Sequence, residues 1–274
     1  MSNPQVAVMM CVHWEVPLAH LQKSVESILC QTFQDFKLYA YGDGPLATPV
    51  NEYLSALPAN KVDVTRCASP RGLPAGLNVL IDKILASSGE YKYVARMDAD
   101  DISLPERLSK QVAYLEGHRQ IGVLGTWCTE FSRSTKAPYT KRLPINHREL
   151  VTFMAVRSPL VHPSVMFRTT IFEDGIRYNE GYLRAQDYEL WSRLMRRGIL
   201  FANLPEYLLE FHADPSSLSR RSGMRLVRRE LSMRVSHIRH FHLGSMRIYL
   251  SLLGFAAVRL APRWIRSIAY SRLR

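Results

Sequence analysis

An apolar run of strand length ends in three carboxylates at residues 93–101, Tyr-Val-Ala-Arg-Met-Asp-Ala-Asp-Asp. Adjacent carboxylates repel one another and raise one another's pKa unless a cation or hydrogen-bond donors compensate them. A divalent metal supplies such compensation, and oxygen ligands with positions left open for phosphate suit Mg²⁺ or Mn²⁺. A simpler interpretation is an Asp-rich turn before a helix, with Asp101 or Ser103 as its cap and Pro105 in its first turn. The run alone leaves both interpretations open.

Two earlier apolar runs also end in polar residues. The run at 6–12 is followed by His13 and Glu15, and the run at 36–41 is followed by Asp43. An amphipathic helix is predicted between them, which makes a strand-helix-strand unit with a right-handed crossover. Ligands bind beyond the carboxyl ends of the strands in a doubly wound sheet. We therefore expect these polar residues and the acidic cluster to meet at one edge of the sheet.

The same alternation continues along the chain, and it predicts an α/β fold with a Rossmann-like, mostly parallel central sheet. The stretch 128–160 is less regular and is expected to cover the edge of the sheet. The later predicted elements are helices at 50–57, 76–87, 106–117 and 185–197 and strands at 62–66, 91–97 and 121–127.

The helix that opens at residue 185 carries an acid on its apolar side. Asp187 shares a face with Leu190, Trp191 and Leu194. Such an acid is either an N-terminal cap stabilised by the helix dipole or a group with a chemical role.

Composition is that of a globular protein, with 47% hydrophobic and 22% charged residues among 274. The four cysteines are widely spaced and form no C-x-x-C pair, so neither a zinc site nor a disulfide framework is expected. A reducing cytosol fits this pattern. The first residues lack the basic region of a signal peptide, and none is expected.

The positive charge lies at the C-terminal end. Residues 220–274 contain thirteen arginines, no lysine and one acid, Glu230, which gives a net charge of +12. The remaining 219 residues carry 23 basic and 23 acidic side chains. This contrast predicts a neutral domain at 1–219 and a basic helical tail at 220–274.

The tail is predicted to form amphipathic helices around a short apolar segment. Residues 248–258 are apolar and bounded by Arg247 and Arg259, which is far short of the ~20 residues of a spanning helix. We interpret the tail as a surface-lying anchor attracted to anionic headgroups. A solvated basic helix or a hairpin docked on the domain is the alternative, and nucleic-acid binding lacks a supporting motif. The stripe predicted for 224–242 consists of Val227, Leu231, Val235, Ile238 and His242.

Six ordered motifs over about residues 5–220 resemble the inverting glycosyltransferase family 2, which has the GT-A fold. The resemblance is strongest to the bacterial subgroup that builds O-antigen and exopolysaccharide. The motifs are SVESILCQTFQDF at 24–36, YGDG at 41–44, RGLPAGLN at 71–78, GEYKYVARMDADDISLPERLSKQ at 89–111, HPSVMFR at 162–168 and AQDYELWSRL at 185–194.

The resemblance assigns roles on the donor side. Asp43 is expected to contact the base of a UDP-sugar, although Gly42 replaces the first acid of the usual Asp-Asp-Gly. Asp98 and Asp100 match the Asp-x-Asp pair, with Asp98 toward the ribose or donor sugar and Asp100 on the metal that bridges the phosphates. Asp101 is expected to orient the metal shell or donor sugar. The remaining residues expected to bind the nucleotide are His13, Glu15 and Arg71.

The resemblance also assigns the catalytic base. Asp187 matches the acid of the family's Glu-Asp pair, with Gln186 in place of Glu. Further along, His212 and Asp214 stand where relatives carry Arg and His, and either of them could reach the metal or the diphosphate. Asp214 is expected to join Asp98 and Asp100 at the metal.

These roles imply a metal-dependent hexosyltransferase. The expected reaction moves a hexose from a UDP-sugar to a polyprenyl-diphosphate-linked sugar with Mn²⁺ or Mg²⁺, on the cytoplasmic face of the bacterial inner membrane, and it yields a β-linkage. A sugar nucleotidyltransferase would need a glycine-rich phosphate loop near the first strand, which residues 13–20 do not supply. A non-catalytic binding module for sugar nucleotides or nucleic acid would leave Asp187 without a role.

Overall fold

The structure is a computed structural model that describes residues 5–87, 91–131, 138–213 and 224–261. Helices and strands alternate over most of this length, as the apolar pattern predicts. In chain order they are β1 (Val6–His13), α1 (Leu18–Leu29), β2 (Phe36–Asp43), α2 (Thr48–Ala56), β3 (Val62–Cys67), α3 (Leu73–Ala86), β4 (Tyr93–Asp98), β5 (Ile102–Ser103), α4 (Arg107–Gly117), β6 (Ile121–Phe131), β7 (Tyr139–Lys141), α5 (His147–Met154), a 3-10 turn (His162–Ser164), β8 (Met166–Arg168), α6 (Thr170–Glu173), α7 (Gln186–Arg196), β9 (Leu200–His212), α8 (Met224–His240) and α9 (Met246–Leu260).

One sheet organises the described residues, with strand order β3-β2-β1-β4-β8-β6-β9-β5 and with β7 paired to β6. The neighbours from β3 to β4 are all parallel. β8 then runs antiparallel between β4 and β6, and β6 pairs parallel with β9. The predicted α/β fold with a mostly parallel sheet is therefore confirmed.

Helix α3 packs unusually close to the sheet, because it carries a glycine where it crosses β1 and β2. A Cβ atom at Gly76 would lie 2.6 Å from Cδ1 of Tyr41 and 3.1 Å from Sγ of Cys11. Any larger residue would push the helix away from these strands. The glycine thus sets the spacing between the helix and the strands that end at the polar edge.

The structure differs from the sequence-based prediction in two places. Helix α4 begins at Arg107, and no side chain caps it. Asp101 and Ser103 are therefore not its caps; instead Ile102 and Ser103 pair with β9. The thirteen-residue strand β9 was not predicted at all.

The C-terminal helices pack on the catalytic part of the chain. Helix α8 contacts α7, and α9 packs on α8. The buried side of α8 includes two charged residues, and its members are Val227, Glu230, Arg234, His237 and Ile238. The predicted stripe is confirmed except for His242, which is exposed, because Leu231 and Val235 are half-buried and pack against the cluster of Ala155, Ile238 and Leu252. No helix in the described ranges has the length and apolar character needed to cross a membrane.

Candidate active site

The carboxyl ends of the parallel strands lie side by side. The register pairs His13 with Asp43 between β1 and β2, and it pairs Cys11 with Asp98 between β1 and β4. Three polar strand ends that are far apart in the sequence therefore share one edge of the sheet. We call this the acidic edge, defined by His13, Asp43, Asp98, Asp100 and Asp101.

Asp43 is buried and holds the loop that leads into α3. Its Oδ1 accepts a hydrogen bond from the amide of Arg71 at 2.7 Å, and its Oδ2 accepts one from the amide of Gly72 at 2.9 Å. Gly72 has a φ of +86°, a conformation that favours glycine. The Arg71 side chain is half exposed and lies 3.7 Å from a carboxylate oxygen of Glu180. Asp43 thus fixes the backbone from which Arg71 extends.

His13 is the exposed last residue of β1, and Glu15 lies in the exposed loop that follows. The amide of Glu15 donates to Nδ1 of His13 at 3.1 Å, which makes a local turn. Both side chains are accessible from the acidic edge, because His13 is the last residue of β1.

Asp98 is paired with a buried cation. Arg96 is fully buried two positions back on the same face of β4, and its guanidinium forms an ion pair with Asp98. Burial opposes the charge of Arg96, yet the neighbouring Asp98 carboxylate raises the net pKa of Arg96 above its ordinary value. The hydroxyl of Ser24 on α1 donates to the Asp98 carbonyl at 2.7 Å and anchors the strand end.

A second guanidinium lies beneath this pair. Arg107 is fully buried and donates to the carbonyls of Arg96 and Pro163, each at 3.0 Å. Burial lowers the pKa of Arg107 to about 10, with Asp101 partly offsetting that effect. The acids at the edge therefore stand on a layer of buried positive charge.

Asp101 is almost completely buried and ties the acidic edge to the end of β9. Its Oδ1 accepts a hydrogen bond from the amide of His212 at 2.8 Å. Its Oδ2 has no hydrogen-bond partner within the described parts of the chain. Burial and the charges of Asp98 and Asp100 raise the pKa of Asp101 well above its usual value.

Asp187 is the second residue of α7 and is partly exposed, while Leu190, Trp191 and Leu194 are buried below it. The residue that caps the helix is Ala185, at a φ of +58°, and not Asp187. Burial raises the pKa of the Tyr178 hydroxyl, and the charges of Asp187 and Asp98 act in the same direction. The two acids are thus both close enough to Tyr178 to affect its ionisation.

A buried polar pair, missed in the sequence, lies between these acids. Nε2 of His162 is 2.9 Å from the hydroxyl of Tyr178. Asn78 donates to the Tyr178 carbonyl at 2.9 Å and accepts from its amide at 2.8 Å. Burial and Arg96 lower the pKa of His162 well below its usual value. The histidine of the 162–168 motif could have indicated this pair, and the arginine inside the apolar run 93–97 could have indicated Arg96.

The donor set at the acidic edge suits a hard cation. No group of three or more His, Cys, Asp or Glu side chains in the described part of the chain is arranged to hold a metal by itself. Mg²⁺ and Mn²⁺ need fewer protein ligands, because substrate phosphates and waters complete their shell. The Oδ2 of Asp101 has no hydrogen-bond partner in the ranges that the structure describes, and the nearby charges of Asp98 and Asp100 raise the pKa of Asp101. A cation bound at Asp100 and Asp98 would offset this repulsion between carboxylates. Asp214, also predicted as a ligand, lies outside the described residues.

The mostly parallel sheet, with acids at the carboxyl ends of its strands, has the GT-A fold of its structural neighbours. The fold is similar to Staphylococcus aureus TarS 1–349 in complex with UDP-GlcNAc, with a TM-score of 0.65 and 15% identity over 92% of this chain and 71% of that one. It is also similar to the mannosyltransferase PcManGT from Pyrobaculum calidifontis in complex with GDP-Man and Mn²⁺, with a TM-score of 0.58 and 13% identity over 98% and 84% of the two chains.

The sequence model of Glycosyl transferase family 2 matches residues 7–176, and the chain belongs to this family. The amylovoran biosynthesis glycosyltransferase AmsE of Erwinia amylovora is 30% identical over 92% of this chain and 93% of its own length. The UDP-Gal:alpha-D-GlcNAc-diphosphoundecaprenol beta-1,3-galactosyltransferase of Escherichia coli is 22% identical over 99% and 97% of the two chains. The chain is therefore a transferase of glycosyl groups.

Proposed function

We propose that the chain moves a hexose of the Glc, Gal or GlcNAc type from a UDP-sugar to a hydroxyl of a polyprenyl-diphosphate-linked sugar. The product is β-linked and belongs to an O-antigen or exopolysaccharide repeat unit. The observation that carries this proposal is the register that brings Asp43 and Asp98 to one edge of the sheet. The galactosyltransferase relative, whose name gives a UDP-sugar and a lipid-diphosphate acceptor, supports the choice of substrates.

In this proposal the nucleotide lies across the ends of β1 and β2. Asp43 holds the loop at residues 71–72 through two amide hydrogen bonds, so that the loop keeps its shape when the base binds. His13, Glu15 and the half-exposed Arg71 side chain border the same space and are the remaining nucleotide contacts. Asp98, with one oxygen on Arg96, presents its other oxygen to the ribose or donor sugar.

Asp100 would hold Mn²⁺ or Mg²⁺, with Asp98 beside it and Asp214 as a further proposed ligand. The ion supplies positive charge to the diphosphate of the leaving group. Asp101 does not reach the donor, since it is buried and bound to the His212 amide. Its role is to hold the acidic turn against β9 and so orient the ligands.

Asp187 is the proposed base. Its carboxylate takes the proton of the acceptor hydroxyl while the oxygen of that hydroxyl attacks C1 of the donor sugar from the face opposite UDP. The bond from C1 to the acceptor oxygen forms as the bond from C1 to the diphosphate oxygen breaks, and the electron pair leaves with UDP. One displacement inverts the anomeric centre, so an α-linked donor gives a β-linked product. Buried Leu190, Trp191 and Leu194 hold the start of α7 in place.

The reaction is proposed to take place on the cytoplasmic face of the bacterial inner membrane. Residues 1–219 would form the catalytic domain, and the basic residues 220–274 would contact the anionic surface that contains the acceptor. Nucleic acid has no role in this proposal.

The test is a transfer reaction with a panel of radiolabelled UDP-sugars and a synthetic diphosphate-lipid sugar acceptor, with Mn²⁺, Mg²⁺ or a chelator. We expect one UDP-sugar to give a lipid-linked disaccharide whose proton NMR coupling at the new anomeric carbon is that of a β-linkage. Chelation should stop the reaction. An α-linked product from an α-linked donor, or UDP release without any glycoside, would contradict the proposal.

A further inference from the structure

Helix α9 presents an apolar stripe on the side opposite to its packing surface. At about 100° per residue, the six positions 246, 249, 250, 253, 257 and 260 fall within a single arc of about 100° on the helix. The exposed fractions are large, at 74% for Met246, 59% for Leu250 and 67% for Leu253. On the opposite side Leu252 is 6% exposed and packs against Ile238 and Ala155. The α9 stripe consists of Met246, Tyr249, Leu250, Leu253, Ala257 and Leu260.

The stripe is held in a fixed direction by α8. The buried guanidinium of Arg234 lies between two rings, 4.9 Å from the ring centre of Tyr188 and 4.5 Å from that of Phe255. Arg259 on α9 forms an ion pair with Glu230 on α8 at 3.2 Å. These contacts join α9 through α8 to Tyr188 on α7, the helix that carries Asp187. The stripe therefore keeps its orientation relative to the proposed base.

The described part of the tail exposes arginines, among them Arg247 beside the stripe on α9 and Arg239, which lines one cavity together with Tyr249. Residues 220–274 contain thirteen arginines and one acid, Glu230. Glu230 is buried and forms an ion pair with Arg259. In the described part of the tail no carboxylate is exposed, whereas Arg228, Arg239 and Arg247 are. A second copy of the chain docked on this stripe would bring two basic surfaces together and would be repelled. An anionic surface matches both the apolar stripe and its charged border.

We propose that the α9 stripe is the segment that enters an anionic phospholipid surface, with α9 lying parallel to that surface. The helix has fifteen residues, or a length of about 22 Å, and a helix of this kind buries one face at the boundary of headgroups and acyl chains. The inference rests on the proposed function in one respect only, since a lipid-linked acceptor is found at such a surface. It identifies the apolar face of α9 as the part of the tail that enters the surface, while α8 holds α9 in place and contributes basic side chains.

The test measures sedimentation of the full chain with vesicles of phosphatidylcholine alone and of phosphatidylcholine with phosphatidylglycerol. We expect Leu250→Asn with Leu253→Asn to lower the partition coefficient for anionic vesicles by about tenfold or more, because two apolar side chains are removed from the contact. The matched control is Ser251→Asn with Gly254→Asn, on the exposed polar side of α9. A Cβ at Gly254 meets no atom within 4 Å, so this control fits the fold.

A second pair of variants tests the charge. Arg228→Gln with Arg239→Gln should weaken binding to anionic vesicles by about fivefold or more and leave binding to neutral vesicles unchanged. Equal binding of the wild type to both vesicle types would overturn the anionic assignment. Equal loss in the leucine pair and its control would overturn the stripe.

Two further outcomes count against the membrane contact. If the wild type forms a concentration-dependent dimer without vesicles, and Leu250→Asn with Leu253→Asn dissociates it, the stripe binds a second copy of the chain. Failure of the wild type to bind any vesicle would overturn the proposal. Transfer to a short water-soluble acceptor without vesicles should be equal in all variants. If no variant transfers sugar but the vesicle results hold, the proposed function fails and the membrane contact stands.

Discussion

The acidic edge and the C-terminal helices both bury arginine, but they stabilise it in different ways. At the edge, Arg96 is paired with the carboxylate of Asp98. In the tail, Arg234 donates to the Ala155 carbonyl at 3.3 Å and is otherwise covered by the rings of Tyr188 and Phe255. The first guanidinium balances a charge, whereas the second fills space between aromatic rings. A buried arginine therefore indicates a ligand site only when an acid depends on it.

The largest expected effect concerns the base. Asp187→Asn should lower the rate of transfer by about a thousandfold, while the affinity for UDP-sugar, measured by calorimetry, stays the same. Glu189→Gln is the control on the same helix, since the Glu189 carboxylate accepts two hydrogen bonds of 3.0 Å from Arg193. Full activity in Asp187→Asn, or equal loss in both variants, would remove Asp187 from this role.

The second prediction compares the two buried arginines by substitution with methionine. Arg96→Met should reduce the free energy of unfolding by about 3 kcal/mol, because Asp98 loses its partner, and it should raise the KM for the donor. Arg234→Met should cost about 1 kcal/mol or less, because methionine also packs well on rings, and its KM should not change. Urea unfolding and initial rates measure both quantities. Similar losses in the two variants would mean that the distinction drawn above is wrong.

Glycines inside helices provide a third comparison. Gly76→Ala should destabilise the protein by about 2 kcal/mol, because the new methyl group overlaps Tyr41 and Cys11. Gly254→Ala in α9 should stabilise it by about 0.7 kcal/mol, because the helix gains propensity and the position is open. Thermal unfolding followed by circular dichroism gives both values, and a stable Gly76→Ala protein would contradict the close packing of α3.

The smallest expected effect is a difference between two buried histidines, His162 and His237, in how each makes the free energy of unfolding depend on pH. Burial lowers the pKa of His162 and of His237, so each stays neutral in the folded state while the unfolded chain takes up a proton near its usual pKa. The contribution of these two neutral histidines to the free energy of unfolding is complete above the unfolded pKa. As the pH decreases below about 6.5, it decreases by at most about 1.4 kcal/mol per pH unit for each residue. His162→Gln should reduce this slope over a wider range than His237→Gln, since only His162 is shifted far. Urea unfolding between pH 7 and pH 5 would show this, and unchanged slopes would contradict it.

The sequence predicts the acidic edge well, because continuous apolar runs locate the parallel strands and the residues after them must lie at one edge. It does not predict the support of that edge. Arg107 becomes buried only because carbonyls from distant residues such as Pro163 receive its guanidinium. Strand β9 was missed because Pro205 and Glu206 interrupt its apolar pattern, while its pairing with β6 overrides local preference.

The sequence leaves the docking of the tail open as one alternative, for a related reason. The periodicity of 224–242 does identify a helix, but it does not show that Arg234 and His237 are buried. His237 is buried because its Nε2 meets the carbonyl of Val151 at 2.9 Å. The ring of Tyr188 likewise covers Arg234. Such partners lie far away in the chain, so local pattern cannot show them.

The position of β8 between β4 and β6 also has a consequence for synthesis of the chain. The strand that delivers the acids ends at Asp98, but its antiparallel neighbour begins at Met166. At about 5–20 residues per second, a ribosome leaves that side of β4 without its neighbour for several seconds. An unpaired strand edge of this kind is a template for association with other chains. Nascent chains stalled before residue 166 should therefore depend on chaperones more than chains released after residue 168.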